Sequence, residues 1–140
     1  LNTILREKIK SIQVHLNTVK AESGKIKFAG NFKYRQLRDL FPSLLKTFLQ
    51  ETDQMPEEED ILEMFIELNM RDIRENRKPE GYNRKGRMRL IFPIGKYEMH
   101  LIGNSSTTEV VRITEHLSKM LQKHGIKNTI EWSGPENYLS

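Results

Sequence analysis

The apolar residues of this chain recur with two different periods, and the switches between them restrict the fold more than any other feature. Lys25-Ile26-Lys27-Phe28-Ala29 alternates polar with apolar, and Met88, Leu90 and Phe92 stand every second residue. A period of two is that of a half-buried strand. Tyr34, Leu37, Phe41, Leu44 and Phe48 instead share one helical face, widened by Leu40, Leu45 and Leu49, while Val110, Ile113, Leu117 and Leu121 share another. That spacing is the buried stripe of an amphipathic helix.

The boundaries carry their own signals. Gly30-Asn31 ends the first strand in a turn, and Gly95-Lys96 joins strands over 87–94 and 97–102 into an antiparallel hairpin. Pro42 interrupts its helical stretch, which requires either a kink or a fresh helix start. Residues 56–78 read as a helix whose stripe is Ile61, Phe65, Leu68 and Ile73, although the middle of 61–68 is apolar enough to run as a strand. Glu57, Glu58, Glu59 and Asp60 complement its positive end, and Arg71, Arg74, Arg77 and Lys78 its negative end. Residues 79–86 form a loop by composition. Ser106-Thr107-Thr108-Glu109 makes a capping box for the 110–121 helix, Gly125 stops it, and 128–132 adds a last strand. Leu5, Ile9, Ile12, Leu16 and Val19 step by four and three, as in a helix that packs on another helix, with a strand through Ile12, Val14 and Leu16 as the competing reading. The predicted class is therefore α+β: a small antiparallel sheet containing the 87–102 hairpin, covered by three to four helices.

At 140 residues the chain suits a single domain with one core, with segment 1–22 as a helical N-terminal piece available for association. It begins at Leu1 rather than Met, which points to a fragment of a longer protein. The lack of cysteine removes a disulfide framework, a thiolate zinc site and a cysteine nucleophile together. No spanning helix or signal peptide is visible, and the expected location is intracellular, cytoplasmic or nuclear.

Charge is sorted into blocks. Residues 1–50 carry ten Lys/Arg against three acids, 51–70 eight acids and no base, and 71–89 eight bases against three acids. Concentrated positive field favours a polyanion. The candidate grip is Arg77, Lys78, Arg84, Lys85, Arg87 and Arg89, whose cations would neutralise phosphates, with Tyr82 placed to stack on an unpaired base. Lys25, Lys27, Arg35 and Arg38 form a second basic group, useful if folding sets it beside the first.

Other chemistry is not assembled by spacing. Four consecutive acids on a helix point in different directions, so Glu57–Asp60 suit a helix start better than a metal site. His15, His100, His116 and His124 lack zincin spacing, and no catalytic triad order, nucleophile elbow, phosphate loop or dinucleotide fingerprint is present. No catalytic residue, metal or cofactor is assigned.

Residues 90–126 begin Leu-Ile-Phe-Pro-Ile-Gly-Lys, pass through Ile102-Gly103-Asn104-Ser105 and end Gln122-Lys123-His124-Gly125-Ile126. They resemble half a repeat of the TATA-box-binding protein family. There, a strand, a Gly-Lys turn, a second strand ending in glycine and a long helix build half of a curved sheet that grips nucleic acid. The resemblance implies the same local topology here. The expected function is thus a non-enzymatic nucleic-acid-binding module, RNA or single-stranded DNA favoured. The alternative is a protein interaction or self-assembly domain, pairing opposite charge blocks or copies, or resting on an anionic membrane surface.

Overall fold

A computed structural model of the chain describes residues 22–104 and 107–133. The heptad-like stretch 5–19, with the association expected of it, lies outside the described residues, as does Ser106 of the capping box. Strand β1 (Ser23–Phe28) is followed by a 3-10 turn (Tyr34–Leu37) and helices α1 (Phe41–Glu51) and α2 (Glu59–Arg74). Strands β2 (Met88–Ile91) and β3 (Glu98–Gly103), helix α3 (Thr107–Lys123) and strand β4 (Asn128–Ser133) complete the order.

The four strands form one antiparallel sheet in the order β2-β3-β1-β4. Two strands that flank a common neighbour run parallel to each other, so β1–helices–β2 and β3–α3–β4 are both split βαβ units. The fold is α+β, as the two periods predict. Ile26 stands opposite Met99 and Ile130, and Leu90 opposite Leu101. These residues point to one face, with Phe28 and Met88. Helix α3 lies across β1, β3 and β4 on that side, α1 packs on α3, and α2 packs on α1 and on the 3-10 turn.

Val110, Ile113, Leu117 and Leu121 are all buried against the sheet, as their spacing requires. Each fully buried aliphatic or aromatic side chain contributes roughly 1.5–3 kcal/mol of transfer free energy. The close approach of α3 to β1 depends on Gly24, where a Cβ would lie 2.3 Å from the Thr114 hydroxyl. All three helices end in the same way. Asp53, Asn76 and Gly125 take positive φ, and the next amide reaches back five residues: Gln54 to the Leu49 carbonyl, Arg77 to Asp72 and Ile126 to Leu121. This is the Schellman stop.

Three expectations need correction. Pro42 makes a fresh helix start in the first turn of α1, one of its two expected readings, but the segment before it, Tyr34–Leu37, is 3-10 and not part of an α-helix. Helix α2 stops at Arg74, so Arg77 and Lys78 lie beyond it. Its buried stripe is half as expected: Ile73 is in the core and Phe65 packs against it, but Met70, Leu62 and Ile66 fill the remaining core places, whereas Ile61 and Leu68 are exposed. Seven apolar residues among positions 61–70 supply two overlapping stripes, and the pattern alone does not choose between them.

Candidate functional site

Strand β2 is an edge strand, yet its outer backbone groups are satisfied. The Gln54 side-chain amide donates to the Met88 carbonyl at 3.0 Å and accepts from the Met88 N–H at 3.3 Å. Tyr82 and Leu90 exchange backbone bonds of 2.7 and 3.0 Å. The chain at Tyr82 therefore lies antiparallel to β2 at Leu90, and residues 83–87 turn back into the strand. That turn carries Arg84, Lys85 and Arg87, all exposed.

The sheet face turned away from the helices receives the residues between the core positions. Arg89 and Ile91 on β2, Glu98, His100 and Ile102 on β3, Lys25 and Lys27 on β1, and Thr129 and Glu131 on β4 alternate onto it. All but Thr129 and Glu131 are half-buried. Lys27 forms an ion pair with Glu131, which raises the lysine pKa and lowers that of the carboxyl, mainly through the shared hydrogen bond. His100 Nε2 lies 2.8 Å from Glu98 Oε1. Lys25 and Arg89 form no ion pair among the described residues.

The predicted basic residues divide as follows. Arg87 reaches Glu109 at 3.2 Å and Asp53 at 3.9 Å. Arg84 lies over the Phe65 ring, 5.1 Å from its centroid, and Lys85 has no carboxylate partner among the described residues. Arg77 pairs with Asp72 and Glu75, Lys78 donates to the Pro79 carbonyl at 3.4 Å, and Arg38 lies 3.6 Å from Asp39. The Arg35 backbone amide donates to Asn76 at 3.1 Å, which sets residues 34–38 beside the end of α2.

Direction along the sheet separates these groups. Residues 84–87 lead into the start of β2, whereas 29–38 leave the end of the parallel strand β1. Arg35, Arg38 and Arg77 therefore gather at the opposite end from Arg84, Lys85 and Arg87. Folding joins Lys25 to Arg89 by a shared face, but does not join Arg35 and Arg38 to the 84–89 segment. Tyr82 is also differently placed: half-buried, it meets Phe65 edge-on at 5.5 Å and Phe48 at 6.0 Å. A ring held in this way belongs to the margin of the core.

A second feature went unread in the sequence. Met64, Phe65, Leu68, Asn69 and Asp72 of α2 face Glu80, Gly81, Tyr82, Asn83 and Arg84 across a cleft of about 380 Å³. Its signal was the surplus of apolar residues in 61–70, more than one buried stripe can use. Elsewhere, Glu51 holds Arg112 at 2.7 Å and His116 at 2.5 Å on the surface. Among the described residues no group of three or more His, Asp or Glu is placed to hold a metal ion, and no helix is long and apolar enough to cross a membrane.

No family model matches the chain, and neither does any curated protein or solved structure.

Proposed function

We propose that this chain is a nucleic-acid-binding module that holds the phosphate backbone with the turn preceding β2 and the adjoining sheet face away from the helices. The observation that carries the reading is that Lys25, Lys85 and Arg89 make no ion pair among the described residues, while Lys27 and Arg87 beside them are matched to acids. An unpaired cation can release a phosphate counterion without first losing a protein partner. Arg84 and Arg87 flank this group, and their exposed contacts are weak enough to exchange for phosphate.

Two further points support it. The strand-turn-strand-helix order of 88–123 is that of the TATA-box-binding resemblance, which would place nucleic acid on the same side of the sheet. Positions 25, 27, 89, 91, 98, 100 and 102 of the sheet side carry no Phe, Tyr or Trp, and the imidazole of His100 is engaged with Glu98. Base stacking in the manner of an aromatic-bearing sheet is therefore not part of the proposal. Contacts to the backbone dominate, with little sequence preference.

Fluorescence anisotropy with labelled 20-nucleotide single strands and matching duplexes, over a salt series, tests this. Lys25→Ala, Lys85→Ala and Arg89→Ala combined should weaken binding about tenfold or more, and flatten the salt dependence by about 0.7–0.9 log units per lost phosphate contact. Unchanged affinity and slope in the folded triple variant would overturn the site.

A further inference from the structure

Helix α2 has two apolar faces, and only one has a partner within the described structure. Met55, just before it, is 38% exposed, and Ile61, Met64 and Leu68 along it are 36%, 44% and 47% exposed. Positions 61, 64/65 and 68 recur as one ridge of a helix. The only other exposed large apolar residues among those described, Ile94 and Tyr97, lie at the β2–β3 turn. An apolar ridge of this kind, concentrated on one element, marks a binding surface.

Met64 and Leu68 of the ridge help form one wall of the 380 Å³ cleft, and the other wall is held by hydrogen bonds. Asn69, buried to 1% exposure, donates to the Phe65 carbonyl at 2.8 Å and the Gly81 carbonyl at 3.1 Å, and accepts the Gly81 N–H at 2.6 Å. Tyr82 is fixed to β2 by its two backbone bonds. The cavity thus exists before anything enters it, which reduces the ordering cost of binding. Phe65, Leu68, Met64 and Tyr82 give it an apolar lining, and Asp72, Glu80 and Arg84 are the charged groups that border it. This is the chemistry of recognition rather than of reaction.

Charge narrows the occupant. Glu57, Glu58, Glu59, Asp60 and Glu63 are exposed around the start of α2 and form no ion pair among the described residues, and Glu80 stands on the far rim beside Arg84. Glu67 is committed to Arg74 at 2.8 Å. We propose that this cleft docks an amphipathic helix of a partner protein, its apolar side chains entering between α2 and residues 80–84 and its basic residues meeting the acidic start of α2. Methionine at the rim suits such a groove, because an unbranched side chain refits to different apolar shapes. The surface meets the proposed phosphate grip at Arg84, which borders the cleft, but its apolar lining does not depend on that grip.

The test uses the full chain and two labelled 20-residue helical peptides with the same leucine pattern at i, i+3, i+4 and i+7, one with lysine and one with glutamate on the polar face. The lysine peptide should bind at micromolar concentration and at least about tenfold more tightly than the glutamate peptide. Leu68→Glu separates groove binding from general attraction. It adds an acid, so non-specific association would strengthen, whereas an occupied groove loses its apolar contact and should bind the lysine peptide about tenfold more weakly. Met64→Glu, at an equally exposed position, provides the same reading if the first variant folds poorly. Lys85→Ala should leave peptide binding unchanged. Equal binding of both peptides, or tighter binding by Leu68→Glu, would overturn the proposal; so would light scattering that shows a dimer dissolved by that substitution, since the occupant would then be a second copy.

Discussion

Asp53 and Asn76 occupy left-handed backbone conformations, with φ of 56° and 59°, at positions where Gly125 does the same work on the third helix. A residue with a Cβ is strained there, and Asp53 gains little in return, since its contact to Arg87 is long and exposed. Asp53→Gly should therefore stabilise the fold by about 0.5–1 kcal/mol, visible as a rise in thermal midpoint, and Gly125→Ala should lower it by a similar amount. Asn76 is a poorer subject because its side chain accepts the Arg35 amide. Thr114 presents the opposite imbalance. Its hydroxyl is buried without a hydrogen-bond partner, against the strand at Gly24. Thr114→Val keeps the shape and removes the unsatisfied group, so stability should hold or rise by about 1 kcal/mol in urea unfolding. Gly24→Ala should cost about 1–3 kcal/mol through overpacking at the same contact.

Among the elements, the edge of β2 is the least expected. An unpaired edge invites pairing with another chain. Here a glutamine side chain imitates a strand at Met88, and a short loop segment pairs at Leu90. Replacing Gln54 with Ala leaves the Met88 N–H and carbonyl without these partners, and should cost about 1–3 kcal/mol and increase aggregation on heating. Such devices leave little trace in sequence. The loop at 79–86 is legible from its proline and glycines, but its pairing uses backbone groups that every residue carries. Helix α3 is legible for the opposite reason, since a single clean stripe and a stop glycine admit one phase. In α2 the apolar residues overfill one face, so the spacing found Phe65 and Ile73 at the core but put Ile61 and Leu68 there too, and missed Met70 and the exposed ridge. Contacts far apart in sequence, such as Gln54 with Met88 or Arg87 with Glu109, depend on how elements pack and not on any local pattern.

On the scale of the whole molecule, sorted charge becomes spatially separate surfaces. The acidic block of the sequence surrounds the start of α2, Arg35 and Arg77 lie beside its end, and Arg84, Lys85 and Arg87 lie in the turn before β2. The sequence showed the blocks but not their separation, which follows from β1 and β2 being parallel. On that outward face, Lys27 and Glu131 also tie β1 to the edge strand β4. The Glu131 carboxyl is lowered in the fold, so its contribution is present above the ordinary carboxylate value and fades as pH falls through the lowered one. Glu131→Gln should consequently flatten the acid side of the stability–pH curve slightly, with more effect at low salt than at high salt. The claim that binds these scales together is that phosphate meets the sheet face and its leading turn. Backbone amide shifts recorded by NMR during titration with a single-stranded oligonucleotide locate the contact directly. Perturbations centred on Lys25, Lys85, Arg89 and the neighbouring residues His100 and Ile102 are the predicted result; perturbations centred on α2, or none at saturating oligonucleotide, would contradict it.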